Sequence, residues 1–291
     1  MPSDRFDRHM PLFGEEGQRK LGAARVAVVG VGGLGTHVVQ QLALLGVGRI
    51  GLIDPQELAR TDRNRSVTAR HDDPIPGTLK VDIAERTVKA IDPEIRVDKI
   101  PHSLISEDAF AAVTGADYVF GCLDSEGLRL VLNELCAAYA RPYFDLASDI
   151  APGDPPAYGG RICVALDGNG CIVCHDLLDM EEAQVELSTP ETRRDHDALY
   201  GVDRRALGQG GPSVVSINGV VASLAVTEFM VSVTGIRPPK RVVTWYAHMG
   251  RLASPADAPE PNCYYCKGIR GRREEADVQR YIREGVGASL Q

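Results

Sequence analysis

The residues from Val26 to Leu42, VAVVGVGGLGTHVVQQL, constrain the fold more than any other stretch. Val26 to Val29 is uninterrupted and apolar, as in a buried strand, and Gly33 to Leu45 carries helical spacing. Between them the glycines fit Gly30-x-Gly32-x-x-Gly35, with Gly33 added. Missing side chains let such a turn tighten, and they let a phosphate approach backbone N–H groups at the positive end of a helix. Arg49 to Ile53 reads as the next strand, after the helix stop Gly46-Val-Gly48, which completes a β-α-β unit. Asp54 ends that strand, where a carboxylate can accept hydrogen bonds from ribose hydroxyls. Ribose and phosphate are common to NAD and ATP, so the fingerprint implies a nucleotide without choosing it, and read alone it favours NAD.

The alternation continues. Residues 78–91 have helical spacing and 95–100 a strand; 116–124 form a buried strand, 127–140 a helix and 142–147 a strand. This rhythm predicts an α/β fold with a doubly wound, mainly parallel Rossmann-like sheet covered on both faces. The Pro/Gly-rich 149–160 breaks it and leads into the strand Gly160-Arg-Ile-Cys-Val-Ala-Leu166. Residues 181–209 are polar and aperiodic, as in a long loop, and 212–235 read as a long helix, apolar on both faces and therefore central. Val242 to Ala247 and the residues near 250–253 read as closing antiparallel strands. The organisation expected is an N-terminal arm and helix (1–24), a Rossmann-like nucleotide-binding region (25–148), and a C-terminal region of strands, loop, helix and tail (149–291), together one continuous domain.

Forty acidic against 32 basic residues give a net charge of -8, which argues against broad binding to nucleic acid or to an anionic membrane. No segment reads as a signal peptide or as the roughly 18 uncharged apolar residues of a membrane span, so the expected location is the cytoplasm. Seven cysteines in a reducing compartment are not a disulfide framework. Their spacing is read as core packing, catalysis or metal binding. Cys171-Ile-Val-Cys174 and Cys263-Tyr-Tyr-Cys266 form two C-x-x-C pairs, whose four thiolates offer a closed tetrahedral site suited to structural Zn2+. A redox role for the pairs is the alternative. His175 beside the first pair reads as a surface histidine, and Cys122, Cys136 and Cys163 as core residues.

Beyond Asp54 come ARTDRNRSV, GTLKVDIAE and GCLDSEG. With them the chain resembles the ThiF/MoeB/HesA family of adenylating enzymes, relatives of ubiquitin-activating enzymes. The residues that carry the likeness are Arg5-Phe-Asp-Arg8-His9, Gly30 to Gly35, Asp54, Asn64-Arg65, Gly77-Thr-Leu-Lys80, Asp124 and the two cysteine pairs. It implies ATP as substrate, with a carboxylate attacking the α-phosphate and pyrophosphate leaving. Arg65 and Lys80 suit the offset of charge that grows on the phosphates. Asp124 suits Mg2+, a hard cation that prefers oxygen ligands. By the same likeness Asn64 contacts the nucleotide, Arg8 reaches the site of the other protomer of a homodimer, and the cysteines hold zinc that pins the tail to the end of the 160–166 strand. The implied substrate is the C-terminus of a ubiquitin-like or sulfur-carrier protein, with a peptide or small-molecule acid as a variant.

Two positions depart from the family pattern. Asp62 stands where Asn is usual and Ser66 where Gln follows the arginine. A carboxylate beside a triphosphate is repulsive unless Mg2+ or a cation such as Arg63 offsets it. No cysteine lies between Cys174 and Cys263, where many family members carry one that captures the acyl group. An external nucleophile is therefore expected to accept it. Arg193, Arg194, Arg204 and Arg205 fall in the same stretch, as a solvated charged loop or a guide for anions. Two other readings compete: an NAD(P)-dependent oxidoreductase, which leaves Arg65, Lys80, Asp124 and the paired cysteines unexplained, and a nucleotide-binding scaffold with weakened catalysis.

Overall fold

A computed structural model of the chain describes residues 4–188, 191–192, 211–255 and 259–286. One eight-stranded sheet, ordered β3-β2-β1-β4-β5-β6-β7-β8, runs through it. Strands β1 (Arg25–Val29), β2 (Arg49–Ile53), β3 (Arg96–Ile100), β4 (Tyr118–Gly121) and the start of β5 (Tyr143–Ala151) are parallel. Strands β6 (Ala157–Ala165), β7 (Val242–Tyr246) and β8 (Arg251–Ala253) extend the sheet in antiparallel fashion.

Side chains alternate across this sheet, which divides the core in two. Val26 and Val28 of β1 point to one face, covered by α2 (Gly33–Leu45) and α7 (Val215–Thr234), with α1 (Met10–Ala23) and α3 (Lys80–Ile91) alongside. Ala27 and Val29 point to the other, covered by α4 (Glu107–Gly115) and α5 (Glu126–Ala138). Phe120 and Phe144 stack at 4.9 Å between centroids, and Phe229 of α7 meets both edge-on, which locks α7 to the sheet.

The doubly wound core and its antiparallel extension agree with the sequence expectation, and four local expectations are corrected. Helix α4 stands where no element was assigned; Ser106 caps it by accepting the Ala109 N–H. The Pro/Gly-rich 149–160 is mostly a hairpin, since β5 runs on to Ala151 and β6 begins at Ala157. Helix α6 (Met180–Leu187) occupies the start of the expected loop, capped by Asp179. The rest of that loop, with Arg193, Arg194, Arg204 and Arg205, lies outside the described residues.

The fourth correction concerns α7. Ile217, Val221, Ala225 and Phe229 are buried, whereas Val215 and Val220 are exposed, so the helix flanks the sheet with a second apolar face open. It is 20 residues long and apolar enough to cross a bilayer, but it is largely packed within the fold. Its Glu228 is held by Arg237 and by the Lys240 N–H.

The tail after Cys266 docks on the body. Ile269, Val278 and Tyr281 are buried in the core beside α5, and Tyr281 Oη donates to Glu134 at 2.9 Å.

Candidate active site

Strands β1, β2 and β4 end together at one rim of the sheet, where ligands bind in open parallel sheets. The loop from β1 into α2 lies on that rim. A Cβ on Gly35 would sit 1.9 Å from the Gly30 carbonyl oxygen, and one on Gly30, which has φ of 87°, would sit 2.5 Å from the Cys122 carbonyl oxygen. These two glycines make the turn and its seat against β4. A Cβ on Gly33 would collide with Asn218 Nδ2 at 2.5 Å and crowd Arg65 Cδ at 3.2 Å. Gly32 differs, because a Cβ there would meet nothing within 4 Å. None of the described residues uses that space, which lies at the N-terminus of α2, where backbone N–H groups favour an anion.

Asp54 is buried at the end of β2. Its Oδ2 accepts the Val31 N–H at 2.7 Å and its Oδ1 the Gln56 N–H at 2.8 Å, which ties β2 to the glycine loop. Burial pushes its pKa up; the positive charge of Lys80 and these two hydrogen bonds pull it back only in part.

The segment between β2 and α3 folds over the rim through a short 3-10 helix, Arg60–Asn64. Asp62 is buried within it and accepts the Ala59 N–H at 2.9 Å and Arg65 Nη2 at 2.8 Å. Lys80, nearly buried at the first turn of α3, places Nζ 3.5 Å from Asp62 and donates to Gln56 Oε1 at 2.7 Å. The two expected phosphate cations therefore converge on one carboxylate beside Gly33. Arg63 is not the cation that offsets Asp62, as it turns away to donate to the Asp73 carbonyl at 2.8 Å. Ser66 Oγ pairs with Thr68 Oγ1 at 3.2 Å, and exposed Asn64 meets Arg65 Nη1 at 3.4 Å.

Asp124 is exposed just beyond β4, at the entry to α5, and its charge is felt by Asp54. Cys136 and Cys163 are buried in the core as expected, and half-buried Cys122, two residues before Asp124, packs against it; burial raises the pKa of all three thiols. Two contributors were not anticipated. Asn218 of α7 reaches over Gly33 and is fixed by Ser148 Oγ at 2.9 Å and by its own donation to Ser213 Oγ at 2.9 Å. A lone Asn in an apolar helical run was the only signal for it. Glu186 of α6 accepts Ser125 Oγ at 2.6 Å and the Gly127 N–H at 2.7 Å, closing the N-terminus of α5 beside Asp124.

Arg8 does not join the other site residues. It is exposed, on an arm held to the opposite end of α2: Arg5 donates to the Ala43 carbonyl, Phe6 packs on Gly46, and Gln18 donates to the Leu45 carbonyl. Thirteen residues of α2 put about 20 Å between that end and the glycine loop.

The two cysteine pairs do meet. Cys171, Cys174, Cys263 and Cys266 bring all four sulfurs within 4.8 Å of one another, with near pairs at 3.6 to 3.9 Å. Four sulfurs about 2.3 Å from a tetrahedral Zn2+ are about 3.8 Å apart, so the set fits that ion. His175 packs against Gly170 and is not among the four ligands.

The model of the ThiF family matches residues 6–265. Protein HesA of Leptolyngbya boryana is 29% identical over 268 residues, spanning 90% of this chain and 85% of that protein. A Thermus thermophilus protein named sulfur carrier protein adenylyltransferase is 34% identical over 141 residues, 48% of this chain and 51% of the relative. Among solved structures, E. coli MccB with MccA-N7isoASN has the same fold, with a TM-score of 0.71 at 22% identity, covering 90% of this chain and 74% of that one.

Proposed function

The chain belongs to the ThiF family; it is an ATP-dependent adenylyltransferase, and we propose that the group it activates is the C-terminal carboxylate of a polypeptide, a ubiquitin-like or sulfur-carrier protein or a peptide. The observation that carries the reading is the convergence of Arg65 and Lys80 on Asp62, with Arg65 against Gly33 of the glycine loop. The glycine loop accepts phosphate, Asp54 and Asn64 face the nucleoside side, and a carboxylate oxygen attacks the α-phosphorus. The bond to the bridging oxygen breaks and pyrophosphate departs with its negative charge. Arg65 and Lys80 stabilise that charge as it develops. Asp124 would hold Mg2+, which supplies further neutralisation of the phosphates. A dehydrogenase has no use for two cations at this place.

The polypeptide substrate draws support from the Thermus relative, named for a sulfur carrier protein, and from the E. coli MccB structure solved with MccA-N7isoASN. With no cysteine between Cys174 and Cys263, the acyl group passes from AMP to an external nucleophile.

In this reading Arg8 serves the site of a second protomer, since its own lies a helix length away. The groove between α2 and α7, about 410 Å3 and lined by His37, Gln41, Val220, Ser223 and Leu224, is the face suited to that protomer. Cys171, Cys174, Cys263 and Cys266 would hold Zn2+, which would fix the tail against the end of β6.

Pyrophosphate exchange tests the function. Labelled pyrophosphate is expected to enter ATP only when a carrier or peptide with a free C-terminus is present, and Arg65→Ala and Lys80→Ala should abolish this with the fold intact. Exchange unchanged in both variants refutes the assignment of these residues. A thiol-sensitive acyl-enzyme refutes direct transfer.

A further inference from the structure

Asp62 stands where the family pattern has a neutral residue, and its carboxylate lies against both expected phosphate cations, 2.8 Å from Arg65 Nη2 and 3.5 Å from Lys80 Nζ. Its position is fixed by backbone as well as side chain: it accepts the Ala59 N–H through its carboxylate, while its carbonyl accepts the N–H groups of Arg65 and Ser66. It is 5% exposed and cannot withdraw into solvent. Arg65 is the more exposed partner, its side chain 23% accessible, with Nη2 on Asp62 and Nη1 on the Thr61 carbonyl. Lys80 is held between Gln56 and Asp62. The cluster therefore carries one net positive charge where an amide at position 62 would leave two.

We propose that Asp62 is a positioning residue that competes with phosphate for Arg65 and Lys80, keeping both cations at the rim while lowering the affinity of the site for every ligand that carries a phosphate chain. The proposal rests on the nucleotide reading above. An entering triphosphate has to draw Arg65 off Asp62, and a departing pyrophosphate is displaced as the carboxylate recaptures it. Both affinities fall by the strength of the same ion pair, so the cost in ATP binding is matched by easier release of pyrophosphate. Ligands without phosphates do not sense the competition.

The test is calorimetric binding of Mg-ATP, Mg-pyrophosphate and adenosine to the full chain and to Asp62→Asn, with Asp62→Ser as a second neutral variant that can still accept the Ala59 N–H. Both variants are expected to bind ATP and pyrophosphate about tenfold more tightly, with a steeper salt dependence, and adenosine within about twofold of the parent. A merely structural role would move all three ligands together. Equal or weaker binding of ATP and pyrophosphate to folded variants overturns the proposal. Failure of the parent chain to bind ATP and adenosine at all overturns the nucleotide reading itself, and this inference with it.

Discussion

The carboxylate of Asp54 accepts the backbone N–H of Val31 at 2.7 Å, so the residue proposed to hold a ribose also ties β2 to the loop that enters α2. Its other oxygen holds the Gln56 N–H, and Gln56 in turn holds Lys80. Asp54→Ala leaves two N–H groups without their acceptor. It is expected to lower the unfolding free energy by about 2–4 kcal/mol, read by urea denaturation, and to weaken ATP more than pyrophosphate. Unchanged stability would show that water replaces the carboxylate at no cost.

The glycines separate into those the chain needs and one it does not. Gly35→Ala places a methyl group 1.9 Å from a backbone oxygen and should destabilise the fold by more than about 2 kcal/mol. Gly32→Ala meets no atom of the described residues within 4 Å and should change stability by less than about 1 kcal/mol while strongly weakening ATP binding. Normal ATP binding by Gly32→Ala would move the phosphates away from this loop.

Acid sensitivity follows from aspartates held down by arginines. The hydrogen bond from Arg241 lowers Asp167 to about 2, and that from Arg86 lowers Asp73 below the usual carboxylate range. A depressed carboxylate stabilises the fold fully above its unfolded pKa, and that contribution is lost as pH falls through the folded value. Stability is therefore expected to fall between about pH 4 and pH 2. Arg241→Met should make the fall shallower, as followed by urea midpoints across that range, and an unchanged slope would exclude Asp167 from it.

Much of this was legible in the sequence because it rests on local chemistry. The glycine loop, Asp54, Lys80 and the cysteine pairs are short patterns whose spacing reflects a turn, a strand end, a helix start and a ligand set. The backbone partner of Arg63 and the ionic partners of Asp62 were not legible, since a 3-10 turn decides which of two nearby arginines faces inward. Helix α4 was missed because it spans nine residues, and Phe110 and Val113 are its two large apolar side chains, too few to set a helical period. Asn218 and Glu186 come from elements far along the chain, and only packing of α7 and α6 brings them to the rim.

The cysteine cluster should bind one Zn2+ per chain, countable by metal analysis. Cys263→Ser or removal by a strong chelator is expected to lower Tm and free the tail from α5, seen as loss of protection at residues 264–283, while ATP still binds. A metal-free protein with an intact tail would leave the four sulfurs as core packing only.

Cleavage of ATP at its α-phosphate is tested most directly by isotope transfer. A carrier or peptide substrate labelled with 18O in both oxygens of its C-terminal carboxylate is turned over with Mg-ATP and an acceptor nucleophile, and the nucleotide product is weighed by mass spectrometry. Attack by the carboxylate at the α-phosphorus predicts AMP carrying one 18O, with pyrophosphate as the other product. ADP and inorganic phosphate, or AMP free of label, would contradict it.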